Sequence, residues 1–139
     1  MEKTIFSKIA SHEIPAHIVW EDEYFIAFLD ILPMALGHVI VIPKEAYPSL
    51  EAMPLDLLGS YLTVVQKIGS AIFKGLNVKG YRLFMDNVEK SDAPSEHILH
   101  VHFHVVPRRD GDGLDVRPQG TYEDGQAEEY EEKIKMALV

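Results

Sequence analysis

Apolar side chains recur along this chain with two different periods. Leu55, Leu58, Leu62, Val65, Ile68 and Ile72 return every third or fourth residue, which puts them on one stripe of a helix. Pro54, whose fixed φ suits a first helical position, and Gly75 bracket that predicted helix. A shorter run of the same spacing over Thr4–Ala10 predicts a first helix that stops ahead of Pro15. His17–Trp20 and Tyr24–Phe28 are rich instead in branched and aromatic residues, and the acidic break Glu21-Asp22-Glu23 between them predicts an antiparallel hairpin. His38–Ile42, apolar up to Pro43, predicts a well-buried third strand. Gly80–Met85 and Ile98–Val106 predict a fourth and a fifth, joined by a polar loop that contains Lys90 and Pro94. Helix, hairpin, strand, long helix, hairpin is an α+β order. Beyond Pro107 the chain is polar as far as Gly125, and Gln126–Leu138 predicts a short helix carried by Glu129–Lys133 and Glu131–Lys135 pairs.

Bulk properties narrow the classes. A chain of 139 residues, 47% apolar and 25% charged, can build one core and has no repeat or linker, so residues 1–139 read as a single domain. The net charge of −9 argues against nucleic acid backbones and anionic membranes as partners, though not against a local anion site. There is no cysteine for disulfides or thiol catalysis, and the opening MEKTIFSK is neither a long apolar run nor a cleavable signal, so a cytoplasmic setting is expected.

Four of the seven histidines fall between positions 97 and 104. On a strand, alternation sends Val101, Phe103 and Val105 to the core and lines up His100, His102 and His104 on the other face, roughly 6.5–7 Å apart. Such a row has three readings: a polar face that uses histidine, a metal site, or a catalytic group. No cysteine or carboxylate motif accompanies it to favour a metal.

The third reading comes from resemblance. Ser95-Glu96-His97-Ile98-Leu99-His100-Val101-His102-Phe103-His104-Val105-Val106-Pro107-Arg108 resembles the signature of the histidine triad (HIT) family. Ile5–Ile9, Glu13–Ala16, Ala27–Pro33, Gly37–Lys44 and Gly80–Arg82 are similar to its other blocks in the same order, so residues 4–109 are covered and 110–139 form a C-terminal extension. The Hint-like branch fits the length and the N-terminal blocks best. The resemblance implies a HIT-like fold, a five-stranded antiparallel sheet with one long and one short helix plus the C-terminal helical segment. It also implies a homodimer in which two sheets continue into one.

It further implies that His102 attacks the α-phosphorus of an AMP-type purine nucleotide, expelling an amine or phosphate and leaving a nucleotidyl-histidine that water cleaves. That chemistry suits a neutral imidazole whose other nitrogen keeps its proton on a backbone carbonyl. His100 and His104 would orient and polarise the phosphate, with amides near Ser95 to His97 stabilising the developing charge. Phe6, Ile9, Phe28 and Ile31 would sandwich the base, Asp30 would accept from the ribose hydroxyls, and His38 would stand behind the triad. No cofactor or metal enters the scheme.

The chain departs from the family pattern in places. Asp86 stands where asparagine is usual, Ser95-Glu96 where a Gly-Gln pair is usual, Ala46 where a histidine often follows, and the loop before the triad is about three residues longer. Asp86 and Glu96 would bring negative charge toward a phosphate. His97 replaces a small hydroxyl residue beside the leaving group, where it either acts as a general acid or faces solvent. Alongside a phosphoramidate-type hydrolase stand a dinucleoside polyphosphate hydrolase, a nucleotide-binding protein with little turnover, and a metal-binding protein.

Overall fold

The computed structural model describes residues 3–88, 98–114 and 120–138. Its first helix, α1 (Ile5–Ala10), starts where the Thr4 hydroxyl accepts the Ser7 amide at 2.9 Å, filling one of the orphan donors of a helix N-terminus. The predicted hairpin forms as β1 (Ile18–Glu21) and β2 (Phe25–Leu29), with Asp22 accepting the Tyr24 and Phe25 amides in the turn. β3 (Val39–Pro43) follows, then a single 3₁₀ turn at Leu50–Ala52 and the long helix α2 (Leu55–Leu76). Pro54 sits one residue ahead of α2 rather than inside it, and the helix runs past Gly75 until Asn77 turns it off in the left-handed region at φ 52°.

β4 (Gly80–Phe84) and β5 (Phe103–Arg108) complete an antiparallel sheet of order β1-β2-β3-β5-β4. Gly37 enters β3 at φ +91°, close against Leu76 and Pro107, where a side chain would collide with Leu76. The last helix, α3 (Gln126–Ala137), has no buried residue and carries the expected Glu129–Lys133 and Glu131–Lys135 pairs at 2.9 and 3.2 Å.

β5 is shorter at its start than the apolar pattern suggests. The strand was expected from Ile98, yet it begins at Phe103, because residues 98–102 spend their hydrogen bonds elsewhere. The His100 amide turns back to the Ile98 carbonyl, and the Val101 amide goes to the Tyr47 carbonyl. Only His104 of the three histidines lies in a strand, although Val101 and Val105 do face the core as the alternation requires.

Two apolar layers sandwich the sheet. Phe25, Ala27, Val39, Val41, Val101 and Val105 meet Tyr61, Val64, Val65, Ile68 and Ile72 of α2 on one face. Ile26, Phe28, Ile40 and Ile42 meet Phe6, Ile9 and Ala10 on the other. β2 and β3 are therefore buried on both sides, which explains their unbroken apolar sequence. Among the described residues no helix is long and apolar enough to cross a membrane.

Candidate active site

α1 is too short to cover its face of the sheet. Beside it lies a cavity of about 440 Å³ lined by Phe6, Ile9, Phe28, Ile40 and other apolar groups, with Asp30, His102 and His104 at its polar end. The histidines around it differ sharply in what their nitrogens do.

His102 Nδ1 lies 2.8 Å from the His100 carbonyl oxygen. A carbonyl can only accept, so Nδ1 carries a proton, and in the neutral ring the lone pair is therefore on Nε2. Nε2 makes no hydrogen bond to the described residues, and the ring is set edge-on between Phe6 and His104, each with its centroid 4.9 Å away. The ring is thus held by Nδ1 on a backbone carbonyl, with an Nε2 on the cavity wall that bonds to no described residue.

His100 is fully buried, and both of its nitrogens are engaged. Nε2 donates to the Pro43 carbonyl at 2.7 Å, and Nδ1 accepts from the Thr4 hydroxyl at 2.8 Å. Burial holds its pKa below the ordinary value, only partly offset by the bond to Pro43. No nitrogen of His100 is left to touch a phosphate. The expected role of orienting the phosphate therefore does not fit its geometry: its ring ties α1 to the end of β3, and its backbone carbonyl holds His102.

His104 is fixed from behind. His38 Nδ1 accepts the Met34 amide at 3.1 Å, so neutral His38 is protonated at Nε2 and donates to His104 Nδ1 at 2.8 Å. That leaves the His104 proton on Nε2, a hydrogen-bond donor beside the cavity. Burial lowers the pKa of both rings, with His102 and His38 adding to the effect on His104, which falls to about 4. Asp30 Oδ2 lies 3.8 Å from His38 Nδ1, too far for a hydrogen bond, and His38 stays neutral despite the pull of that carboxylate. Asp30, His38 and His104 each bring a possible metal-ligand atom within 4.8 Å of the others. Both His38 nitrogens are already bonded, however, so an ion there would have to displace those bonds.

The HIT domain family model matches residues 11–111. An uncharacterised HIT-like protein of Methanocaldococcus jannaschii is 41% identical over 81% of this chain and 84% of its own. The purine nucleoside phosphoramidase of Escherichia coli (strain K12) is 35% identical over 78% of this chain and 89% of its own. The crystal structure of a HIT family member from Bacillus subtilis superposes with a TM-score of 0.82 at 31% identity, covering 99% of both chains.

The chain belongs to the histidine triad (HIT) family.

Within this HIT domain the sequence-derived site residues sort by position. Phe6, Ile9 and Phe28 are buried in the cavity wall, and Asp30 stands at its polar end with Oδ1 accepting the Leu32 amide at 2.9 Å. Ile31 borders the cavity but is 81% exposed, so it forms rim rather than wall. His38 lies behind His104, with Nε2 2.8 Å from His104 Nδ1. Asp86 is exposed, and its charge acts on His104 in the direction that favours protonation. Ser95, Glu96 and His97 lie outside the described residues.

Other residues of the HIT site escaped the sequence reading. Thr4 holds His100 and caps α1, and its hydroxyl just ahead of an apolar helical run was a readable capping signal. Phe84 stacks on His104 at 4.4 Å and 12°, with the Arg82 guanidinium 4.7 Å from the centre of the Phe84 ring. Their alternate positions on β4, with Phe84 paired to His104, would have shown this once the register was known. Ile98 lines the cavity too, with no pattern to announce it.

Proposed function

We propose that this HIT protein is a nucleotide hydrolase that cleaves a substituted α-phosphate, of the nucleoside phosphoramidate type, through a nucleotidyl-histidine at His102. The observation that carries the reading is the pair of opposite proton placements. His102 Nδ1–H on the His100 carbonyl leaves Nε2 a nucleophile, while the His38 bond makes the His104 ring a donor.

In the proposed reaction the His102 Nε2 lone pair forms a bond to the α-phosphorus as the bond from phosphorus to the leaving nitrogen breaks. The imidazolium that results shares its Nδ1 proton with the His100 carbonyl, which stabilises the charge where it develops. His104 Nε2–H donates to a non-bridging phosphate oxygen. The departing amine takes a proton, for which we assign His97, the residue before the cavity-lining Ile98. Water then attacks phosphorus and gives a proton to His97, restoring the one passed to the amine, while the bond to His102 breaks with its electron pair returning to Nε2, and the nucleotide leaves.

The apolar walls supported by Phe6, Ile9 and Phe28 suit a flat purine, and Asp30 at the polar end suits ribose hydroxyls. The name of the Escherichia coli relative supports a purine nucleoside phosphoramidate as substrate. A homodimer is part of the proposal, supported by the open edge of the sheet at β4, where Leu83 is exposed. The test is turnover of an adenosine phosphoramidate beside a diadenosine polyphosphate, with AMP release measured for both. Faster release from the phosphoramidate is expected. Preference for the dinucleotide would favour the polyphosphate reading, and AMP binding without turnover of either would favour a nucleotide-binding role.

A further inference from the structure

β3 runs two residues past its last pairing with β5. Their ladder ends at Val41↔Phe103, whereas β3 continues through Ile42 to Pro43. The His38 carbonyl accepts from Asp30 on the β2 side, so by alternation the polar backbone groups of Val39, Val41 and Pro43 face β5.

At the last pair a side chain enters the ladder. The Tyr61 hydroxyl, reaching from α2, donates to the Val41 carbonyl at 2.6 Å and accepts the Phe103 amide at 3.2 Å. Tyr61 is fully buried, its ring stacked on Phe25 at 5.3 Å and 8° and packed on Phe103 at 5.0 Å. One step further, the Pro43 carbonyl meets the His100 ring instead of β5 backbone, and the Val101 amide has gone to Tyr47. The chain thus leaves the sheet at the tyrosine hydroxyl.

That departure matters for His102. In a regular strand the carbonyls point along the sheet at neighbouring strands and the side chains stand across it. A His100 carbonyl in such a strand would lie in the plane of the sheet, directed away from β3 toward the β4 side, and could not reach the His102 ring. We propose that Tyr61 is a positioning residue for His102: by bridging the Val41 carbonyl and the Phe103 amide, its hydroxyl stops β5 from zipping onto β3 and so keeps the His100 carbonyl on His102 Nδ1. The kinetic part of this inference rests on His102 being the nucleophile; the structural part does not.

Tyr61→Phe removes one oxygen and keeps the ring. Nitrogen NMR of the histidines at neutral pH is expected to show His102 as the Nδ1–H tautomer in the parent and to show loss of that preference in the variant. Turnover of an adenosine phosphoramidate should fall about tenfold in kcat with KM within about twofold, the signature of a misplaced reacting group rather than lost binding. Phe25→Leu loosens the same ring stack but keeps the hydroxyl, so it should lower the melting temperature and leave the His102 tautomer in place. The parent alone gives a further arm: the Tyr61 hydroxyl proton should be slowly exchanging and show a cross-peak to the Phe103 amide. An unchanged His102 tautomer in Tyr61→Phe, an equal change in Phe25→Leu, or no such cross-peak overturns the proposal. If the parent hydrolyses no phosphoramidate, the functional reading fails, and the tautomer and cross-peak still decide the role of Tyr61.

Discussion

On one face of the sheet the 22 residues of α2 lie against Phe25, Val39, Val41 and Val105 and close the layer. On the other, the 6 residues of α1 cover Ile26, Phe28 and Ile40 only in part, and a cavity of about 440 Å³ remains beside them. Both faces are built from the same branched and aromatic residue types. Helix length separates them: the covered face stabilises the fold, and the half-covered face exposes two imidazoles and a carboxylate at the end of an apolar slot. The histidines repeat the contrast on a smaller scale. His100 has both nitrogens bonded inside the protein, while His102, two residues on, has one that bonds to no described residue.

The sharpest way to break this division is His102→Ala. Turnover of an adenosine phosphoramidate should drop by several orders of magnitude while the melting temperature barely moves, since the side chain sits on the cavity wall rather than in the sealed layer. Turnover close to that of the parent would remove His102 from the reaction.

The next test sets the two layers against each other. Ile68→Ala, under α2, should cost about 2–5 kcal/mol of stability and leave KM unchanged. Ile9→Ala borders space that is already open, so it should cost less stability and raise KM for the nucleotide. Denaturant unfolding and steady-state kinetics on both variants check this, and equal stability losses with equal KM values would erase the distinction.

Acid should act on the histidine face first. The folded pKa of His104 lies at about 4 against an ordinary 6.5, and those of His38 and His100 are also lowered by burial. Between those pH values the unfolded chain binds more protons than the folded one, so stability present above about pH 6.5 is lost as pH falls toward 4. Thermal melts across that range should show a declining midpoint, with a shallower decline in His104→Gln.

Asp86→Asn, combined with Glu96→Gln, is the mildest change. Asp86 is exposed, so screening limits its repulsion of a phosphate to about 1 kcal/mol, a few-fold in affinity. AMP should bind slightly tighter to the double variant by calorimetric titration, with the larger gain at low salt. Unchanged or weaker affinity would mean that the carboxylates point away from the phosphate or attract a cationic leaving group.

Much of this was legible in the residues. The period of α2, the hairpin around Asp22 and the double burial of β3 follow from local spacing, and the alternation around His102 correctly assigns Val101 and Val105 to the core. The divergence of residues 98–102 from β3 was not legible, because period-two alternation says where side chains point and nothing about which backbone groups find partners. The partners that draw this segment away, Thr4, Pro43, Tyr47 and Tyr61, lie between 42 and 96 residues distant in sequence. For the same reason His100 looked like a second phosphate ligand, when its nitrogens are spent on Thr4 and Pro43.

The central claim is that His102 Nε2 forms a covalent bond to phosphorus. Rapid mixing with an adenosine phosphoramidate, quenching under conditions that preserve phosphorus–nitrogen bonds, and peptide mass spectrometry test it directly. An adenylyl group on the peptide containing His102, accumulating before steady state and absent in His102→Ala, is the predicted result. Full turnover with no protein-bound adenylyl group, or that group on another residue, would contradict the account.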